Sequence, residues 1–205
     1  MGGKSIPDPW LKPGVLIGSL FPLAWIVIRA SKGQIGADPI KEIENELGLA
    51  ALIFIVASIC CSPAKRLLGW TWAMRIRREV GLLAFLYAML HFAVYFWDQY
   101  PNLAGIPEDI LQRPFITVGF AALVLLTPLA ITSTKGSVKR LGFVRWQRIH
   151  WLVYPAAVLA AIHFIWRVKL DVSQPLTYAI IVALLLAIRF VWWLQKRWAS
   201  GQALA

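Results

Sequence analysis

The sequence predicts an all-α integral membrane protein, a bundle of six transmembrane helices. Three observations predict it. First, 59% of the 205 residues are hydrophobic and only 15% are charged, against about 45–50% and about 25% in an ordinary soluble domain. Too few polar side chains remain to cover a water-facing surface, and the mean hydropathy is +0.65. Second, the apolar residues collect into six segments separated by Pro, Gly and charged residues. Third, basic residues concentrate on alternate loops, as they do when a chain crosses a membrane at each segment. No hydrophilic stretch is long enough for a separate soluble domain, so residues 1–205 read as one transmembrane domain.

The spans follow in order. The first covers about Gly14–Ile28. Lys4 and Lys12 precede it as they would in a secretory signal, but Arg29 follows with no small-x-small cleavage site, so a retained helix is expected. The second, about Leu47–Cys61, ends at the adjacent Cys60 and Cys61. Neighbouring cysteines rarely bridge one another and no Cys-rich ligand spacing exists, so both read as small packing residues. The third, about Val80–Trp97, follows a loop carrying Lys65, Arg66, Arg75, Arg77 and Arg78. The stretch Gln99–Pro114, with Pro101, Gly105, Pro107 and Pro114, is an ordered, turn-rich cap before the fourth span, about Phe115–Ile131. The fifth, about Trp151–Trp166, follows a second basic loop with Lys135, Lys139, Arg140, Arg145 and Arg148. The sixth, about Leu176–Leu194, contains Arg189. Several segments fall short of the ~20 residues of a full crossing, and flanking Trp, Lys and Arg make up length at the interfaces.

The net charge of +11 invites a nucleic-acid reading, but the basic residues sit in short loops between apolar runs, where they act as topology signals. Fourteen of the 21 Lys and Arg fall on the side of the termini and of the two basic loops, and eight of the ten acids fall on the other. The positive-inside rule then places both termini in the cytoplasm, the arrangement six crossings require. The inner membrane of a bacterium is the expected location.

The chain has three histidines, His91, His150 and His163, all in or beside apolar segments. An ionisable side chain within a membrane is costly and points to a functional site when a partner can be named. A neutral imidazole is a haem-iron ligand, and iron takes its lone pair well. His91 lies 13 residues beyond Arg78 and His163 lies 15 beyond Arg148, so each sits about 20 Å from the basic edge at 1.5 Å per residue. Spans three and five run in the same direction, so the two imidazoles share one depth in the outer half, as a haem held between helices three and five requires. His150 sits about 20 Å below His163, at the inner edge. The third span has no histidine at that height; Arg77 stands there, 14 residues before His91 and on the same helix face. His150 is either a ligand of a second haem or an edge residue facing headgroups or a haem propionate. An ideal helix separates His150 and His163 by about 140°, and Pro155 between them can distort it. Arg77 and Arg78 also read as simple topology anchors. Met74 and Met89 are alternative iron ligands that two matched histidines make unnecessary.

The stretches Leu47–Trp70, Arg77–Gln99 and Ile131–Trp166 together resemble the ferric-reductase-like transmembrane superfamily. Within it they resemble the haem-binding membrane subunits of periplasmic protein-methionine-sulfoxide reductase systems. The fifth-span combination of Leu141, Arg145, Trp146, His150, Tyr154, His163, Phe164 and Trp166 is the most specific part, with Ile149 where leucine is common. The resemblance implies haem b, one or two per chain, with His91 and His163 as the axial pair. It also implies FMN as a further cofactor, electrons from the quinone pool, and a periplasmic molybdopterin reductase of the MsrP type as partner. Larger relatives carry two histidines on each of two helices, and Arg77 departs from that pattern.

Those larger relatives follow the sixth span with a flavin and nicotinamide domain. No GxGxxG or P-loop signal is present here, so electrons are expected from quinol or from a separate cytosolic flavin reductase. The expected function is transmembrane electron transfer. Electrons come in near His150, Arg77, Arg78 and Arg148, pass to the haem at His91 and His163, and leave to a protein on the outer loops. The substrate's catalytic site is expected on that partner. Two other readings stand beside it: a transporter with histidine proton relays, which needs acids paired with the histidines, and a structural anchor for a redox partner.

Overall fold

The structure, a computed structural model, describes residues 9–202; Lys4 and Asp8, which enter the charge tally, lie outside them. Among the described residues, six helical stretches are long and apolar enough to cross a membrane.

The first stretch is two helices, α1 (Leu11–Gly18) and α2 (Phe21–Ser31). Pro22 opens α2 and has no N–H to donate backward, which breaks the helix at Ser19 and Leu20. The hydroxyl of Ser19 donates to the Leu16 carbonyl at 2.7 Å, and its own carbonyl receives the Tyr87 hydroxyl. That bond pins the break to α4 (Ala73–Asp98).

The second stretch, α3, runs over Pro39–Leu68, about two turns beyond the apolar segment at each end. Asp38 caps its start by accepting from the Lys41 amide at 3.2 Å, with Pro39 in the first turn; Gly69 at φ 70° ends it. The early turns of α3 tolerate acids because Arg29 of α2 hydrogen-bonds both Glu42 and Glu46. Glu42 also accepts from the Gly36 amide at 2.6 Å.

The cap is helical: a 3-10 turn at Leu103–Gly105, then α5 (Ile106–Gln112). The Tyr95 hydroxyl donates to Asp109 at 2.8 Å and ties α5 to α4. The fourth crossing is α6 (Pro114–Ile131), and the second basic loop contains α7 (Lys135–Leu141).

The fifth stretch is again two helices, α8 (Phe143–His150) and α9 (Val153–Arg167). Pro155 explains the junction. It cannot donate to the Trp151 carbonyl four residues back, and its ring crowds that carbonyl. The sixth crossing is α10 (Ser173–Gln202).

Helix α3 packs along α4, α6 along α9, and α10 against α9 and α3. The main core draws on all five, with Ile55 and Ile59, Ala84, Leu126, Ala156 and Ala157, and Val182 and Leu185. Ala156 and Ala157 are fully enclosed. Small residues at such crossings let backbones approach, which drives helix association in lipid. Cys61 fits this pattern as a small buried side chain beside Ala64 and Ala73, its thiol 3.2 Å from the Ala57 carbonyl.

Candidate functional site

Among the described residues, one cavity opens inside the bundle towards one end and another towards the opposite end. The cavity at the acidic-loop end has a volume of about 450 Å³ and is lined by both His91 and His163. Their rings lie 6.0 Å apart, centroid to centroid, at an interplanar angle of 79°. Each ring is held by a helix other than its own. His91 of α4 donates Nδ1–H to the Glu44 carbonyl of α3 at 2.7 Å, and His163 of α9 donates Nδ1–H to the Phe115 carbonyl of α6 at 2.6 Å. These bonds fix the tautomer and leave each Nε2 with its lone pair available.

The same device is built twice. Four residues beyond each accepting carbonyl stands a glycine, Gly48 after Glu44 and Gly119 after Phe115. In a helix the carbonyl of residue i faces residue i+4, so a ring reaching that carbonyl must pass the position of the i+4 Cβ. A Cβ on Gly48 would lie 3.0 Å from Nδ1 and Cε1 of His91, and one on Gly119 would lie 2.6 Å from Nδ1 of His163. The absent side chains form a cradle for each imidazole.

These residues fit a metal bound between them. A ligating histidine usually gives its other N–H to a carbonyl or carboxylate, as both do here. An imidazole–metal bond of about 2.0–2.1 Å, with about 1 Å from nitrogen to ring centre, spans roughly 6 Å between centroids when doubled. The observed 6.0 Å accommodates one ion. Apolar walls from Leu52, Phe92, Leu123 and Leu126 suit a flat, largely apolar macrocycle around it.

The second cavity, about 650 Å³, lies at the basic-loop end and is lined by Arg77, Arg78, Lys135, His150, Tyr154 and Arg189 with no carboxylate among its lining residues. Arg77 donates to the Ser62 hydroxyl at 3.2 Å and Arg78 to the Ser133 carbonyl at 2.7 Å. The His150 ring stacks on Trp146 at 3.9 Å, with Nδ1 bonded to the Trp146 carbonyl at 3.0 Å. Arg189 donates to the Tyr154 hydroxyl at 3.0 Å and to the Ile59 carbonyl. Its buried Nε has no hydrogen-bond partner among the described residues. Ile55 and Leu126 line both cavities.

The sequence profile of the ferric reductase like transmembrane component matches residues 47–161, the stretch that carries both glycines, His91 and His150. A Deinococcus radiodurans protein is 50% identical over 90% of this chain and 92% of its own length. Relatives from Rhodospirillum rubrum and Herminiimonas arsenicoxydans are 48% and 43% identical over 92% and 95% of this chain, and over 91% and 90% of their own. All three are named protein-methionine-sulfoxide reductase haem-binding subunit MsrQ. The chain belongs to the MsrQ family of ferric-reductase-like transmembrane proteins. As an MsrQ family member with six membrane-spanning helices, it is a multi-pass protein of the bacterial inner membrane.

Within this MsrQ family member, the structure brings His91 and His163 together at one end, and His150, Arg77 and Arg78 at the other. The α8–α9 junction lets His150 and His163 each line an interior cavity although a continuous helix would turn them apart. Arg148 is exposed and lines neither cavity. Met74 lines the basic-end cavity, whereas Met89 is exposed and lines neither. The carbonyls of Glu44 and Phe115 and the two glycines escape a reading of side-chain types. Their available signal is a glycine inside an apolar helix, which costs about 1 kcal/mol relative to alanine and so marks a packing need.

Proposed function

We propose that this protein carries electrons across the membrane through haem b held axially by His91 and His163. The observation that carries the reading is the paired imidazoles, each fixed through Nδ1 by a carbonyl of a neighbouring helix, α3 or α6, and each cradled by a glycine. The names of the relatives support haem as the group bound. Bound there, the iron supplies a reversible one-electron couple, whose potential the two neutral imidazoles and the low-dielectric walls set.

With the basic loops in the cytoplasm, the histidine pair lies in the outer half and the second cavity faces inward. Electrons come in at that inner cavity, from the quinone pool or from a cytosolic flavin reductase. Its cationic lining supports the reading: Arg77, Arg78 and Arg189 offer donors to the oxygens of a quinone or of a flavin such as FMN. His150 sits where a second haem or the donor itself would be met. Electrons leave at the outer mouth to a periplasmic molybdopterin reductase of the MsrP type. Each methionine sulfoxide needs two electrons and two protons and releases one water, so two single-electron transfers serve one turnover of the partner. The whole chain acts as one domain in this scheme.

The test is spectroscopic. His91→Ala and His163→Ala each remove a six-coordinate low-spin haem spectrum from the purified protein. If both variants keep the parent spectrum, the axial assignment is wrong.

A further inference from the structure

Two axial nitrogens define only a line through the iron; a macrocycle held by them alone is free to turn about that line. Something else must choose which edge faces out. Haem b has one chemically distinct edge, carrying two carboxylates, so the question is where the acidic-end cavity offers cations.

Four cations line it: Lys41, Arg113, Arg167 and Lys169. Two already have carboxylates. Lys41 pairs with Asp38 at 3.0 Å and Arg113 with Asp109 at 2.7 Å. Outside the cavity, Arg29 is taken by Glu42 and Glu46. Arg167 is different. It is the last residue of α9 and lies four residues after His163, so it stands one turn above that histidine on the same helix face. It is half-buried; Glu44 lines the same cavity and attracts it through space, but among the described residues no ion pair or hydrogen bond joins the two. A half-buried guanidinium without a hydrogen-bonded carboxylate is costly, and its planar fork fits a carboxylate bidentately. Lys169, two residues on, is exposed at the same mouth.

We infer that Arg167, with Lys169 beside it, receives the haem carboxylates and turns the acidic edge of the macrocycle toward the outer mouth. This rests on the reading that His91 and His163 hold haem. The pairing makes Arg167 a positioning residue. It leaves the coordination to the histidines and sets the rotation of the ring about the axial line, so that the edge nearest the outer loops is fixed.

The experiment compares haem b with its dimethyl ester, which lacks the two charges, in the full-length chain in lipid nanodiscs. Retention is followed at the low-spin signal that His91→Ala abolishes. A charge-assisted pair is worth enough for the parent protein to hold haem b about tenfold or more better than the ester. Arg167→Leu reduces that preference to below about threefold, and Arg167→Lys, which keeps the charge but loses the fork, falls between. The low-spin spectrum persists throughout. The inference is overturned if the parent protein does not discriminate between the two porphyrins, a result needing no variant, or if Arg167→Leu keeps the parent's preference. The latter result would mean that Arg167 serves Glu44 or the surface instead. Absence of any low-spin signal in the parent with either porphyrin is a separate failure: it removes the axial assignment itself.

Discussion

Replacing Gly119 with alanine tests the glycine cradle directly. The added carbon lies 2.6 Å from Nδ1, 2.8 Å from Cε1 and 3.0 Å from Cγ of His163, whereas unstrained contacts sit at about 3.5–4.0 Å. The ring has to retreat by roughly 1 Å to restore that spacing. Its bond to the Phe115 carbonyl, 2.6 Å long, does not survive such a move, and a buried donor left unsatisfied costs about 1–3 kcal/mol. Haem retention then falls roughly 10- to 100-fold, the range typical of losing a partner that orients a metal ligand. Gly48→Ala is the internal control. Its carbon meets His91 at 3.0 Å, a contact relieved by a few tenths of an ångström, so only a few-fold loss is expected. Haem titration of both variants, read at the low-spin Soret band, decides the matter. The two glycines are not cradles if Gly119→Ala binds like the parent, or if Gly48→Ala is the more damaging of the two.

Three other outcomes follow from the same geometry. Arg189→Met removes the cation whose Nε has no hydrogen-bond partner among the described residues, so the low-spin spectrum stays unchanged while haem reduction from the basic-loop side slows about tenfold or more; stopped-flow reduction by quinol or reduced flavin in proteoliposomes measures it. His150→Ala likewise keeps the low-spin signal of the His91–His163 pair and slows reduction, and loss of that signal would place His150 in the outer site after all. The Lys41 ammonium and backbone amide beside Asp38 hold its carboxyl below the ordinary 3.8. The stabilisation from this depressed carboxyl is therefore complete above the ordinary value and is lost as pH falls through the native one. Asp38→Asn, which keeps an oxygen to cap α3, should flatten that decline in thermal unfolding midpoints as pH falls from above the ordinary carboxyl value to below the native one.

The six crossings were legible because membrane thickness imposes a minimum apolar length, and that constraint is local in sequence. Their ends were less so. The turns of α3 that carry Glu42 and Glu46 look like loop until Arg29, on a different helix, is seen to neutralise them. The break between α1 and α2 depends on Pro22, which inside an apolar run reads as part of one span. Equal depth along spans three and five made His91 and His163 a pair on arithmetic alone. The offset of His150 could not be resolved that way, because it depends on how far Pro155 unwinds the α8–α9 junction. The carbonyls of Glu44 and Phe115 were out of reach for a deeper reason. Every residue has a carbonyl, and only the crossing of α3 with α4 and of α6 with α9 selects these two.

Ile55 and Leu126 line both cavities and are themselves almost fully buried, at 2% and 4% exposure. Their consequence is insulation. An electron can tunnel through a few ångströms of aliphatic side chain, but a proton cannot follow without a chain of water or polar groups. An apolar partition offers water too few polar partners to settle. The proposed electron-transfer role needs that asymmetry, since each elementary charge leaking through a membrane held at 100 mV dissipates about 2.3 kcal/mol. In the proposed electron-transfer role, a more polar partition, with every ligand untouched, is the change that would open a proton leak.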